Sequence, residues 1–374
     1  MNPTGKLHSM GQRLWLDNIT RELLDNGTLQ NYINQYSITG LTSNPTIFDG
    51  AIASGNAYDA GIAGKSRAGK SGEKLFIELA LEDLCRAADL FRPLFDTSNQ
   101  LDGWVSMEIS PLLANDTEGS IRAARRMYQQ ADRPNLFIKI PGTQAGLPAI
   151  ESLIHAGVPI NITLLFSCEQ YLAAAQAYMR GIERRLETGL NPKVGSVASL
   201  FVSRWDVAVK DKIPASLHNK LGIAICSRVY HAWCELLDTP RWRRLADAGA
   251  LPQRLLWAST GSKDPAASAT LYMEALVAAG TINTVPEQTL LAFANHGILN
   301  TPMARDDGEA VSILQQFEQI GINIALLAKQ LQLEGTNAFV KSWQSLLQRI
   351  ADKNSALSDQ GMPETSHTQK ADRE

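Results

Sequence analysis

A lysine interrupts an apolar run at Leu136-Phe137-Ile138-Lys139-Ile140-Pro141-Gly142. The run reads as a strand. If both faces of its sheet are covered, the ammonium lies in a medium that penalises unpaired charge. Lys139 could instead sit on an exposed edge, or pair with an acid inside the core. Burial offers a chemical use, because desolvation favours the neutral amine. A neutral amine attacks a ketone and forms an imine, which after protonation is an electron sink for carbon–carbon cleavage.

Other strand-like runs also end in polar residues. The first is Leu14-Trp15-Leu16-Asp17-Asn18, where period two places Trp15 and Asp17 on one face. The second ends in Thr42-Ser43-Asn44-Pro45-Thr46. In the third, Ser106, Glu108 and Ser110 share a face opposite Val105, Met107 and Ile109. A fifth ends in Asn161-Ile162-Thr163. Singly, Asp17 or Glu108 reads as a helix cap or a surface residue. Together with Lys139 they form a set that one barrel mouth would gather: Asp17, Asn44, Glu108, Lys139 and Thr163. Two acids beside Lys139 would favour the ammonium, so desolvation, nearby cations or protonation of one acid must offset them.

Later runs carry anion-binding chemistry. Val197-Ala198-Ser199 leads into Arg204, and Leu256-Trp257-Ala258-Ser259 leads into Thr260-Gly261-Ser262-Lys263. Barrels commonly hold phosphate in loops after the late strands. Ser259 and Lys263 supply a hydroxyl and a cation, and Arg204 can make a bidentate contact. The alternative is an ordinary turn capped by Ser or Asp. The spacing at Gly261-Ser262-Lys263 does not match a P-loop.

Strand and helix patterns alternate about eight times along the chain. Strands are expected at 13–16, 37–41, 103–109, 135–140, 158–163, 193–200, 254–258 and 281–285. Between them the sequence predicts an amphipathic stretch at 20–36, a Gly/Ala/Ser-rich loop at 51–72, and helices at 73–91, 117–130, 143–155, 167–186, 222–237 and 265–279. Thr143 is the expected N-cap of the third of these helices. Such alternation gives a parallel sheet, either closed or doubly wound. No GxGxxG follows the first strand, which disfavours a dinucleotide fold. The reading is an α/β protein with a (β/α)8 TIM barrel and additional helices, one catalytic domain over 1–353. Residues 354–374 read as a polar, disordered tail.

Composition excludes several classes. The 374 residues are 44% hydrophobic with a net charge of −3, so neither a nucleic-acid-binding charge surplus nor body-wide disorder is expected. Cys85, Cys168, Cys226 and Cys234 are sparse and form no CxxC, as in a reducing compartment. No secretory signal or membrane-length apolar run is expected, so a cytoplasmic protein with no membrane partner is the reading. The proximity of His231, Cys226 and Cys234 lacks zinc-ligand spacing, and no metal is expected.

The runs Trp15-Leu16-Asp17, Thr42-Ser43-Asn44-Pro45-Thr46, Ser106-Met107-Glu108-Ile109-Ser110-Pro111, Ile138-Lys139-Ile140-Pro141-Gly142-Thr143, Asn161-Ile162-Thr163-Leu164-Leu165-Phe166-Ser167 and Trp257-Ala258-Ser259-Thr260 resemble the transaldolase family, in its longer bacterial and plant-type branch. The resemblance extends from about Arg13 to Leu347. It implies a (β/α)8 barrel, without metal or organic cofactor, that transfers a dihydroxyacetone unit between sugar phosphates. By matched motif, it implies that Lys139 forms the imine and that Asp17 takes the C4 hydroxyl proton. Glu108 and Thr163 would handle a water, Asn44 and Ser199 the dihydroxyacetone hydroxyls, and Arg204 and Ser259 the phosphate. Some branches place a second phosphate-binding arginine two residues after the serine of the seventh strand. This chain has Gly261 there, with Lys263 as the candidate substitute. A fructose-6-phosphate-type aldolase and a catalytically silent binding barrel are the competing readings, and a homodimer is left open.

Overall fold

The computed structural model describes residues 2–299 and 301–360. Eight parallel strands pair in chain order and close on themselves: β1 (Arg13–Leu16), β2 (Ile38–Thr42), β3 (Trp104–Glu108), β4 (Leu136–Pro141), β5 (Ile160–Leu165), β6 (Ser196–Phe201), β7 (Arg254–Ala258) and β8 (Ile282–Val285). β8 pairs with β1 in the register Trp15↔Thr284. With helices outside and side chains inside, both strand faces are buried, which explains the near-continuous apolar runs.

The barrel interior is layered by period two. Phe137 stacks between Trp104, 3.9 Å away between ring centroids, and Trp15, 6.1 Å away. These rings fit because two positions, one in β2 and one just before β6, lack a side chain. A Cβ on Gly40 would stand 2.7 Å from the Trp15 ring, and one on Gly195 would stand 2.6 Å from Trp104. Two residues further along the same faces come Asp17, Thr42, Ser106 and Lys139. An aromatic floor thus carries a polar layer toward the C-terminal mouth.

Several expectations need correction. Residues 51–72 are not an open loop: helices Pro45–Ser54 and Asp59–Arg67 occupy most of the segment. Asp49 pairs with Arg349, and Asp59 lies 2.7 Å from Lys353, so the C-terminal helix pins both. The stretch 20–36 is two helices, Arg21–Asp25 and Thr28–Tyr36, split at Gly27 with φ 76°. Residues 265–279 contain only the short helix Leu271–Ala275. Asp264 holds the preceding segment by accepting bonds from Asn219, Lys210 and the Ala266 N–H, which competes with helix formation. Thr143 Oγ1 accepts from the Gly146 N–H at 3.1 Å. It therefore closes the turn ahead of helix Gly146–His155, whose N-cap position is Ala145.

The C-terminal helix, Ile324–Gln360, extends past residue 353, so residues 354–360 are helical; 361–374 lie outside the described residues. This helix crosses the barrel mouth. Gln332 Nε2 donates to the Gly142 and Leu164 carbonyls at 3.1 and 3.0 Å, and Thr46 Oγ1 donates to Ser342 Oγ at 3.0 Å. Trp343 packs edge-on against Phe76.

Candidate active site

A cavity of ≈330 Å³ opens at the C-terminal end of the strands, within the ~300–1,000 Å³ usual for small-molecule sites. Its wall gathers eight of the nine residues singled out from the sequence: Asp17, Asn44, Lys139, Thr163, Ser199, Arg204, Ser259 and Lys263. The ninth, Glu108, lies just behind it, in contact with Lys139.

Lys139 is 7% exposed and Glu108 8%. β3 and β4 pair these two residues directly in register, so neighbouring strands set their spacing. Lys139 Nζ lies 2.5 Å from Glu108 Oε1 and donates to the Ser43 carbonyl at 3.0 Å. Of the alternatives for Lys139, the structure shows the lysine paired with an acid inside the core: the pair is buried, and its amine faces a cavity. Burial pushes the Glu108 carboxyl up, against the opposing charge and hydrogen bond of Lys139.

Asp17 sits at the top of β1 with one edge on the cavity and protein around the rest. Burial raises it, against the charge of Lys139, a hydrogen bond from Thr42 and the charge of Lys263. Thr42 Oγ1 is 2.7 Å from Asp17 Oδ1. Two carboxylates thus flank one amine, and desolvation draws both toward the protonated form.

Thr163 owes its place to a bulge. The β5–β6 register shifts between Ile162 and Leu165, and Leu164 takes φ 60°. Gln332 secures that strained carbonyl. Thr163 Oγ1 is buried without a hydrogen-bond partner among the described residues. Ser199 donates to Asn161 Oδ1 at 2.6 Å, and Asn161 donates to Ser106 Oγ at 3.2 Å. With its proton committed, Ser199 Oγ can accept from a ligand hydroxyl. Asn44 Oδ1 caps helix Pro45–Ser54 by accepting from the Ile47 N–H, which leaves its amide NH2 as a donor.

The far end of the cavity is cationic. Arg204 follows β6 on helix Ser203–Val209, its guanidinium 5.4 Å from the Phe201 ring centroid. Burial lowers it, countered by the charge of Glu334. That helix is fixed by buried Asp206, which accepts from the Leu221 N–H at 2.9 Å and from Tyr272 at 2.8 Å; burial raises Asp206 to about 6. Ser259 takes φ 56° and its Oγ lies 2.9 Å from Ser203 Oγ. Lys263 is exposed at the rim. A side chain at Gly261 would begin 3.2 Å from Pro286, so that position is closed to a large residue unless Pro286 moves.

Some cavity residues escaped the sequence reading. Thr284 and Phe201 could have been found by extending period two along β8 and β6. Ala338, Phe339 and Ser342 line the cavity from the C-terminal helix, and nothing in a helical pattern says which opening it covers. Among the described residues, no three His, Cys, Asp or Glu side chains could together hold a metal ion, and no helix is long and apolar enough to cross a membrane.

A closed parallel barrel thus holds a buried lysine–carboxylate pair that opens on a cation-lined cavity. The sequence model of the family described as Transaldolase/Fructose-6-phosphate aldolase matches residues 14–350. Transaldolase 2 of Nostoc punctiforme is 40% identical over 373 residues, covering 94% of this chain and 98% of that protein. The transaldolase of Thermobifida fusca is 40% identical over 364 residues, covering 95% and 99%. That of Thiobacillus denitrificans is 40% identical over 358 residues, covering 94% and 100%. The chain belongs to the transaldolase/fructose-6-phosphate aldolase family, and its activity is that of a transferase of the transaldolase type.

Proposed function

We propose that the chain moves a dihydroxyacetone unit from a ketose phosphate, sedoheptulose 7-phosphate or fructose 6-phosphate, to an aldose phosphate, glyceraldehyde 3-phosphate or erythrose 4-phosphate. It does so without metal or organic cofactor, as a step of the non-oxidative pentose phosphate pathway. The observation that carries this reading is the buried 2.5 Å contact of Lys139 Nζ with Glu108 on the wall of a cavity that also holds Asp17 and Arg204.

The reaction begins with proton transfer from Lys139 Nζ to Glu108, whose carboxyl burial already draws toward protonation. The neutral amine attacks the ketose C2 and forms a carbinolamine. Glu108 then protonates the departing hydroxyl through a water that the Thr163 hydroxyl, unpartnered among the described residues, orients. Water leaves and the imine carries the positive charge. Asp17 removes the C4 hydroxyl proton, the C3–C4 bond breaks, and its electron pair flows into the iminium to give an enamine and a free aldehyde. Asn44 and Ser199 hold the retained hydroxyls, while Arg204, Ser259 and Lys263 hold the phosphate. The acceptor aldehyde enters, the enamine carbon attacks it, and Asp17 returns its proton to the new alkoxide. Water then adds to the regenerated iminium, and the reverse of the first steps releases the new ketose phosphate and frees the Lys139 amine.

Transfer, as opposed to simple aldol cleavage, requires the enamine to outlive the exchange of aldehydes. The C-terminal helix supports this by placing Phe339 over the cavity, which limits water near the enamine. The test is partition: with fructose 6-phosphate and erythrose 4-phosphate, sedoheptulose 7-phosphate should form at least ~100-fold faster than free dihydroxyacetone, a gap of roughly 2.7 kcal/mol in barrier. Comparable rates would favour the fructose-6-phosphate-type aldolase. A cytoplasmic location accords with the free cysteines at 85, 168, 226 and 234.

A further inference from the structure

We infer that Thr284 of β8 is a positioning residue for Asp17, holding it through a chain of two hydroxyls that serves the carboxylate and the carboxylic acid alike. Thr42 Oγ1 lies 2.7 Å from Asp17 Oδ1 and 2.7 Å from Thr284 Oγ1. Thr42 and Thr284 are 2% and 4% exposed. They come from the strands on either side of β1, so barrel closure between β8 and β1 is what brings the three groups together.

A hydroxyl has a single proton, and that fixes the chain's direction. When Asp17 is ionised, Thr42 gives its proton to Asp17, and its oxygen accepts from Thr284. A carboxylic acid can carry its proton on either oxygen. With the proton on Oδ1, Asp17 donates to the Thr42 oxygen and Thr42 donates in turn to Thr284 Oγ1. Without Thr284, that form leaves a buried hydroxyl proton unpaired, and losing it disfavours the protonated state. Thr284 therefore acts on the half of the cycle in which Asp17 holds the proton.

The other groups facing Asp17 stay constant when residue 284 changes. Lys139 of β4 and Lys263 of the loop after β7 act on it by charge, and Glu108 of β3 feels Asp17 in turn. Glu287, which follows β8, bonds to Asn18 and Tyr32. The C-terminal helix presents Ala338, Phe339 and Ser342 to the cavity, none of them titratable. A displaced acid limb in a residue 284 variant thus reports the hydroxyl chain.

This inference rests on the role of Asp17 proposed above, and the experiment separates the two. Thr284→Val and Thr284→Ser are compared with the parent by kcat against pH, KM for fructose 6-phosphate, and borohydride trapping of the imine. Thr284→Val should lower kcat by about 3- to 10-fold, the range one hydrogen bond supplies, and move the acid limb to lower pH. KM should change less than ~2-fold, trapping should be unaffected, and Thr284→Ser should restore both kcat and limb. If Thr284→Val fails to fold, Thr284→Cys, similar in size with a weak acceptor, gives the same reading. Parental kcat and acid limb in the Val or Cys variant, or a Ser variant as impaired as Val, overturn the inference while leaving the function intact. Loss of trapping in the parent protein removes the function itself.

Discussion

The two ends of the cavity are built differently. At the end proposed to form the Schiff base, polar side chains stand on or next to strands and are bonded to one another: Lys139 to Glu108 and Ser43, Asp17 to Thr42, Ser199 to Asn161. At the end proposed to hold the phosphate, the groups stand on a short helix and a loop. Arg204 lies against Phe201, and Lys263 is exposed at the rim. The groups proposed to react are thus held by their own hydrogen bonds, the kind of preorganised site where electrostatics act most strongly. The phosphate end keeps its charge available for a ligand that brings its own.

Breaking the bonded end should cost the most. Asp17→Asn keeps an acceptor for Thr42 but removes the base, so cleavage should fall by about 10²- to 10⁴-fold while imine trapping survives. The same change should stabilise the fold at neutral pH. Burial holds the Asp17 carboxyl above its ordinary value, so its contribution to stability is full in acid and is lost as pH rises through the folded value. The Tm of Asp17→Asn should therefore exceed the parent's at pH 7, with the gap closing toward pH 4. Normal cleavage, or a gap that widens in acid, would contradict the contrast between the two ends.

Disturbing the phosphate end should act on binding. Arg204→Ala should raise KM for fructose 6-phosphate by about 10- to 100-fold, the range of a charge-assisted contact of ~1.5–3 kcal/mol. KM for unphosphorylated fructose should be little changed. Lys263→Met should have the smallest effect, about 2- to 5-fold, shrinking with added salt because an exposed ammonium is screened. Equal losses on both substrates would place these cations in catalysis instead.

The same contrast governs what the sequence reveals. A polar residue every second position in an apolar strand has few explanations, so Asp17, Glu108, Lys139 and Thr163 were legible, and barrel closure supplied their meeting. The Thr42–Thr284 bond was not, because it depends on register across the β8–β1 seam. Nor was the mouth-crossing helix, since periodicity shows that a face is apolar without showing what it covers. Helices Pro45–Ser54 and Asp59–Arg67 were hidden by glycine and serine that read as a loop; contacts from Arg349 and Lys353 over 290 residues later in the chain help hold them. Conversely, the alanines after Pro265 suggested a helix that Asp264 and its partners prevent.

The central claim is a covalent bond from one buried amine to a ketose carbon. Borohydride reduction in the presence of fructose 6-phosphate, followed by peptide mass spectrometry, reads it directly. The expected result is a stable sugar-derived adduct on the peptide containing Lys139, absent in Lys139→Ala. An adduct on a different lysine, or trapping that persists in Lys139→Ala, would contradict it.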